Sequence, residues 1–148
     1  MLNRSNTKLQ MINKKKDFYF KDEDKILVSK LEIYLDNLVF LKPNFRIFDL
    51  SILLETPPNH VSKLIRHVYG YKFSDFIMYH KLNYLDTLIE QELKQNNKLK
   101  FTTLFNEAGF KSRSNFYFAF DKIRNSSPKV YYNNLYPGVS LNGEYVFL

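Results

Sequence analysis

A chain of 148 residues supports one ordinary domain with short appendages. Lys and Arg number 22 against 15 Asp and Glu, for a net charge of +7, which suits an anionic partner such as nucleic acid or an acidic membrane surface and equally a plainly basic soluble protein. The absence of cysteine excludes disulfides and Cys-based zinc sites, the scarcity of glycine argues against Rossmann and P-loop designs, and no apolar run approaches the roughly 20 residues of a membrane helix.

Residues 1–20 are rich in Asn and Lys, include Lys14-Lys15-Lys16 and lack the apolar core of a secretory signal; they read as a mobile basic arm on a cytoplasmic protein. The segment 21–42 reads as an N-terminal amphipathic helix opening at Asp22, with Leu27, Val28, Leu31, Leu35 and Leu38 on one face, and it should stop before Pro43. A first unit follows over 49–70. In it Asp49 is expected to cap a short helix through Glu55, and Pro58 to open a second running to about Tyr69, with Gly70 as its stop. Val61, Leu64, Ile65 and Val68 form the inner stripe of that second helix; Asn59, Ser62, Lys63 and Arg66 form its outer face.

A long linker helix is expected over 73–95, ending at the polar break Gln95-Asn96-Asn97-Lys98. The second unit, 101–124, contains a short helix from Phe101 to Ala108, a stop at Gly109, and a helix capped by Ser112 that buries Phe116, Ala119, Phe120 and Ile123. Asn125 tolerates the left-handed conformation expected at its end, and Ser127-Pro128 should open a final helix over 128–135. The tail, 136–148, carries Asn142-Gly143 between apolar flanks, a hairpin-like signal. The expected class is therefore all-α: two helix-turn-helix subdomains joined by a long central helix, with an extra helix in front.

The two units repeat one pattern: Leu50 pairs with Leu104 and Leu54 with Ala108, and beyond the turn Val61 pairs with Phe116 and Ile65 with Phe120, the second turn being one residue longer. A two-helix unit this short needs outside packing. The linker helix, roughly 30 Å long at 1.5 Å per residue, is placed to supply it, and its length is close to the pitch of B-DNA, about 34 Å.

Residues 44–135 resemble the DNA-binding domain of AraC/XylS-type transcription regulators. The match is carried by Leu50-Ser51, by Pro58-Asn59-His60-Val61-Ser62-Lys63-Leu64-Ile65, by Gly70-Tyr71-Lys72-Phe73-Ser74-Asp75-Phe76-Ile77, and above all by Glu107-Ala108-Gly109-Phe110 through Phe120 with Ser127-Pro128 downstream. The resemblance implies that the second helix of each unit enters a major groove. Asn59, Ser62, Lys63, Arg113, Ser114 and Tyr117 then read bases, with Arg66, Lys81, Lys111 and Lys129 on phosphates; Asn suits the adenine edge and Lys and Arg the guanine acceptors. It implies double-stranded DNA and RNA polymerase as partners, no cofactor and no catalysis. Three positions depart from the pattern: Phe105 stands where a small residue is usual, which predicts looser packing of the second unit, Asn125 stands for Gly, and Asp121 stands for a basic residue. Phe118 is expected either to touch a thymine methyl or to pack on the long helix.

His60, His67 and His80 are spaced too unevenly for a metal site, and no Ser-His-Asp or paired-carboxylate grouping suggests an enzyme. The helix within 22–40 either docks on the first unit or forms a homodimer. The alternative to a regulator is a helical interaction module, or a remnant of a larger regulator that titrates partners while binding DNA weakly.

Overall fold

A computed structural model describes residues 21–137; the basic arm and the Asn142-Gly143 signal lie outside them. Among the described residues seven α-helices follow one another: α1 (Asp22–Asp36), α2 (Ile47–Leu53), α3 (Pro58–Tyr69), α4 (Phe73–Lys94), α5 (Phe101–Glu107), α6 (Arg113–Arg124) and α7 (Pro128–Leu135). No strand occurs among the described residues, and no helix there is long and apolar enough to cross a membrane. The chain divides between Phe76 and Ile77 into two compact units.

Most helix ends lie where local chemistry puts them. Pro57 is extended at φ −56°, ψ 143°, so that Pro58 opens α3, and Gly70 ends it in the left-handed region at φ 79°. Ser112 caps α6 by accepting from the Asn115 amide at 3.1 Å, and Ser127 caps α7 by accepting from the Val130 amide at 3.2 Å. Asn125 ends α6 with φ 49°.

Two boundaries differ from expectation. The N-terminal helix stops before Pro43 as expected but is shorter than the segment 21–42. It ends at Asp36, Leu38 turns left-handed (φ 60°), and a short 3₁₀ turn spans Val39–Leu41. That turn folds Phe40 into the core rather than continuing the outer face of α1. In α2, Asp49 is not the capping residue. The helix starts earlier, with Arg46 at the cap, and Asp49 sits one turn in, accepting from the Arg46 amide at 2.8 Å. A carboxylate can satisfy an orphan amide from either position, and the sequence pattern does not choose between them. Asp24 does the same for α1, accepting from the Lys21 amide at 3.2 Å.

The first unit is closed by α1. Val28, Leu31 and Leu35 are buried with Leu50, Leu54, Val61, Leu64, Ile65 and Phe76. Tyr34 Oη donates to the Leu53 carbonyl at 3.2 Å, Asp24 meets His60 at 2.8 Å, and the Tyr69 hydroxyl donates to Glu32. The helix thus docks on its own unit, leaving Ile26 and Ile33 outward.

The second unit uses the later part of α4 in the same way. Leu82, Leu85 and Ile89 pack with Phe101, Leu104, Phe105, Ala108, Phe110, Phe116, Ala119, Phe120 and Tyr132 in one cluster. The repeat therefore extends beyond two helices: Val28, Leu31 and Leu35 of α1 stand at the same spacing from the turn as Leu82, Leu85 and Ile89 of α4. Its side chains differ, however. Where the first unit has Ser51, Val61 and Ile65, the second has Phe105, Phe116 and Phe120. Phe105 is buried and stacked on Phe116 at 5.2 Å and 12°, so the bulky residue is accommodated by ring stacking and the packing is not loosened there.

Candidate nucleic-acid interface

The turns that precede α3 and α6 are built by matching hydrogen bonds. In the first, the amides of Leu54, Glu55 and Thr56 donate to the carbonyls of Leu50, Ile52 and Ser51 at 2.9, 3.1 and 3.0 Å. In the second, the amides of Ala108, Gly109 and Phe110 donate to Leu104, Asn106 and Phe105 at 2.9, 3.0 and 2.9 Å. Both turns pass through one left-handed residue, Glu55 at φ 52° and Gly109 at φ 92°. Each longer helix then begins in the same phase relative to its core: Val61, Leu64, Ile65 and Val68 inward in α3, and Phe116, Ala119 and Phe120 inward in α6, with Ile123 half-buried beside them.

Helical phase fixes what faces outward. On α3 these are Asn59, Ser62, Lys63 and Arg66, all exposed. The helix contains no acidic residue, so its outer face is uniformly basic and polar. Two carboxylates of α1 hold it near its two ends: Asp24, itself buried, binds His60 near the start, and Glu32 binds Tyr69 at the finish. The sequence pattern does not single out Asp24 or Glu32, because their partners lie 36 and 37 residues away. The sequence signal, in retrospect, is Asp24 on the apolar stripe of an otherwise regular amphipathic helix.

On α6, Arg113 and Ser114 are exposed. Tyr117 is only partly so. Its hydroxyl is out of solvent contact and has no hydrogen-bond partner among the described residues, its ring lies 5.5 Å from Phe116, and burial raises the phenol pKa against the opposing charge of Arg113. The partial exposure of Tyr117 therefore does not include its hydroxyl. Phe118, by contrast, is 63% exposed; it does not pack on the long helix.

Among the cations assigned to phosphates, Lys111, Lys129 and Arg66 are exposed. Lys81 is engaged internally. Its ammonium donates to the Gly109 carbonyl at 3.0 Å and lies 5.8 Å from the centre of the Phe110 ring, and desolvation, with the nearby charge of Lys111, lowers its pKa. It is a brace on the second turn, placed where the carbonyl end of α5 favours a cation.

Charge is unevenly shared. Residues 21–76 hold eight Lys and Arg against eight Asp and Glu, while residues 77–137 hold nine against five. Residues 21–76 are neutral in sum, so the basic surface of α3 reflects segregation within them: five of those eight acids lie on α1.

No family model matches this sequence, and comparison with curated proteins and with solved structures likewise gives no match.

Proposed function

We propose that the chain is a sequence-specific DNA-binding transcription regulator of the AraC/XylS type, in which α3 and α6 are recognition helices that enter neighbouring stretches of major groove. The observation that carries this reading is the local identity of the two units: a turn with the same three hydrogen bonds, followed by a helix whose inner face is core and whose outer face is polar and exposed. An exposed helix of this width fits the major groove, which is about 12 Å wide. Asn59 suits an adenine edge, Lys63 and Arg113 suit guanine acceptors, Ser62 and Ser114 accept either role, and Tyr117 contributes ring contact. Arg66, Lys111 and Lys129 position the protein on phosphates.

The experiment is selection of binding sites from random duplexes by the full chain. Affinity for a selected duplex should fall with salt at a slope of about −0.9 per phosphate contact, and Arg113→Ala should cost about 1–3 kcal/mol and relax preference at one base pair. Unchanged affinity in that variant would remove Arg113 from the reading set, and the absence of any salt-dependent binding would end the DNA-binding reading.

A second reading, a protein-interaction module, is favoured by one observation: Ile26 and Ile33 on α1 are 59% and 61% exposed, and Phe48 and Ile52 on α2 are both 62% exposed. Homodimerisation through residues 22–40 would use the first pair. Light scattering at two protein concentrations checks it: the mass of a monomer at both rules the dimer out.

A further inference from the structure

The outer face of α6 carries one residue whose exposure the phosphate-and-hydrogen-bond picture does not use. Phe118 stands 63% exposed in the middle of the helix. It holds the position that Lys63 holds on α3, counted from the cap of each helix, Pro57 and Ser112. Its neighbours one turn away are Ser114 on one side and Lys122 on the other, the latter with its ammonium 5.7 Å from the ring centre. Asp121 and Ser114 border the ring on the same face and both are exposed. The surroundings are polar and charged, so Phe118 is a single apolar group on a hydrophilic face and not part of an extended patch of the kind a protein partner buries.

We propose that Phe118 is a specificity residue that seats its ring against the 5-methyl group of a thymine, so that α6 reads by apolar contact at the place where α3 reads with an ammonium. The inference rests on the DNA-binding reading above. The thymine methyl is the one apolar feature among the base-pair edges of the major groove, and a Phe ring is among the side chains that meet it. The chemistry around the ring fits a base and not the backbone. Asp121, beside it, repels phosphates and suits the amino group of a cytosine, while Lys111, Arg113 and Lys122 are exposed cations of the kind that meet phosphates. The two recognition helices then differ in kind: α3 is basic throughout, and α6 is basic at its edges and apolar at its centre.

The test compares the full chain with Phe118→Ala and Phe118→Leu on a duplex obtained by selection, with each thymine replaced singly by deoxyuridine, which lacks only the methyl group. The unaltered chain should bind about fourfold more weakly at one or two of these substitutions, the value of one buried methyl. Phe118→Ala should bind thymine and deoxyuridine duplexes equally, and Phe118→Leu should keep part of the discrimination. Since the side chain is exposed, helix content measured by circular dichroism should be the same in all three. If the unaltered chain never distinguishes thymine from deoxyuridine, or Phe118→Ala still does, the proposal is overturned while DNA binding stands. Failure to select any duplex overturns both.

Discussion

Both units close the same gap, between the helix that covers them and the end of the helix that faces outward, but with different chemistry. In the first, the Tyr69 hydroxyl donates to Glu32. In the second, at the corresponding place, Arg124 grips Asp86 with two bonds of 2.9 and 2.5 Å, and Tyr132 adds a third at 2.8 Å. The guanidinium also lies over two rings, 5.0 Å from Phe120 and 4.5 Å from Tyr131. Burial works against the charge of Arg124, and the hydrogen bonds and charge of Asp86 outweigh it, raising its pKa. The position needs a clasp and not a particular charge: a neutral donor suffices in the first unit, where the Tyr69 ring packs on Phe76 at 4.8 Å, whereas in the second unit the rings surround an ion pair with faces that favour a cation.

The largest expected effect breaks that second clasp. With side chains 10% and 22% exposed, Arg124 and Asp86 form a largely buried pair, and Asp86→Ala removes the counter-charge of the guanidinium and the acceptor of the Tyr132 hydroxyl, leaving the two only their mutual bond at 3.3 Å. The expected loss is about 3–5 kcal/mol, read by denaturant unfolding. In the first unit, Tyr69→Phe removes one bond to a carboxylate and should cost about 1.5–3 kcal/mol. Equal losses would show that the ion pair contributes no more than the neutral clasp.

Raising the pH should attack the same contrast. Burial raises Tyr117, Tyr131 and Tyr132 above 10.0 and Tyr136 to about 12. A phenol with a raised folded pKa contributes stability that is complete below its unfolded value near 10 and is lost as pH climbs through the folded value. The second unit should therefore loosen between about pH 10 and 12. Hydrogen exchange resolved by residue would check it; loss of protection in the first unit ahead of the second would contradict the assignment.

Local chemistry made much of this fold legible in the sequence. Pro58, Gly70, Ser112, Asn125 and Ser127-Pro128 each force or cap a helix end within a few residues of themselves, and the stripes at Val61–Val68 and Phe116–Phe120 follow from helical spacing alone. Contacts between distant segments were not legible. Asp86 and Arg124 are 38 residues apart, and no local pattern singles out either. Lys81 read as a free cation because nothing local says that the Gly109 carbonyl meets it. The extension of the repeat to α1 was hidden because it rests on the burial of Val28, Leu31 and Leu35, while the residues between them differ from their counterparts in α4. For the candidate interface, the outward position of Asn59, Ser62, Lys63 and Arg66 followed from phase; the shielding of the Tyr117 hydroxyl did not, since it depends on how the aromatic core fills.

The smallest expected effect sharpens the comparison at the turns. Both need a left-handed residue, and only one has the residue that adopts this conformation without steric cost: Gly109 at φ 92° against Glu55 at φ 52°. A side chain with a Cβ in this region carries roughly 1–2 kcal/mol of strain, while glycine carries extra entropy in the unfolded chain, worth about 0.4–1 kcal/mol. Glu55→Gly should therefore stabilise the first unit by no more than about 1.6 kcal/mol, the strain relieved less the entropy added. Gly109→Ala should destabilise the second by about 1.6 kcal/mol or less, the same two quantities with opposite sign, if its backbone relaxes toward the Glu55 angles, and by more if Lys81 holds it at φ 92°. Lys81→Met separates those cases: adding it to Gly109→Ala should recover stability only if the brace prevents relaxation. Strict additivity of the two substitutions would mean that the turn is set by its own three hydrogen bonds, as the first turn is, and that Lys81 merely leans on it.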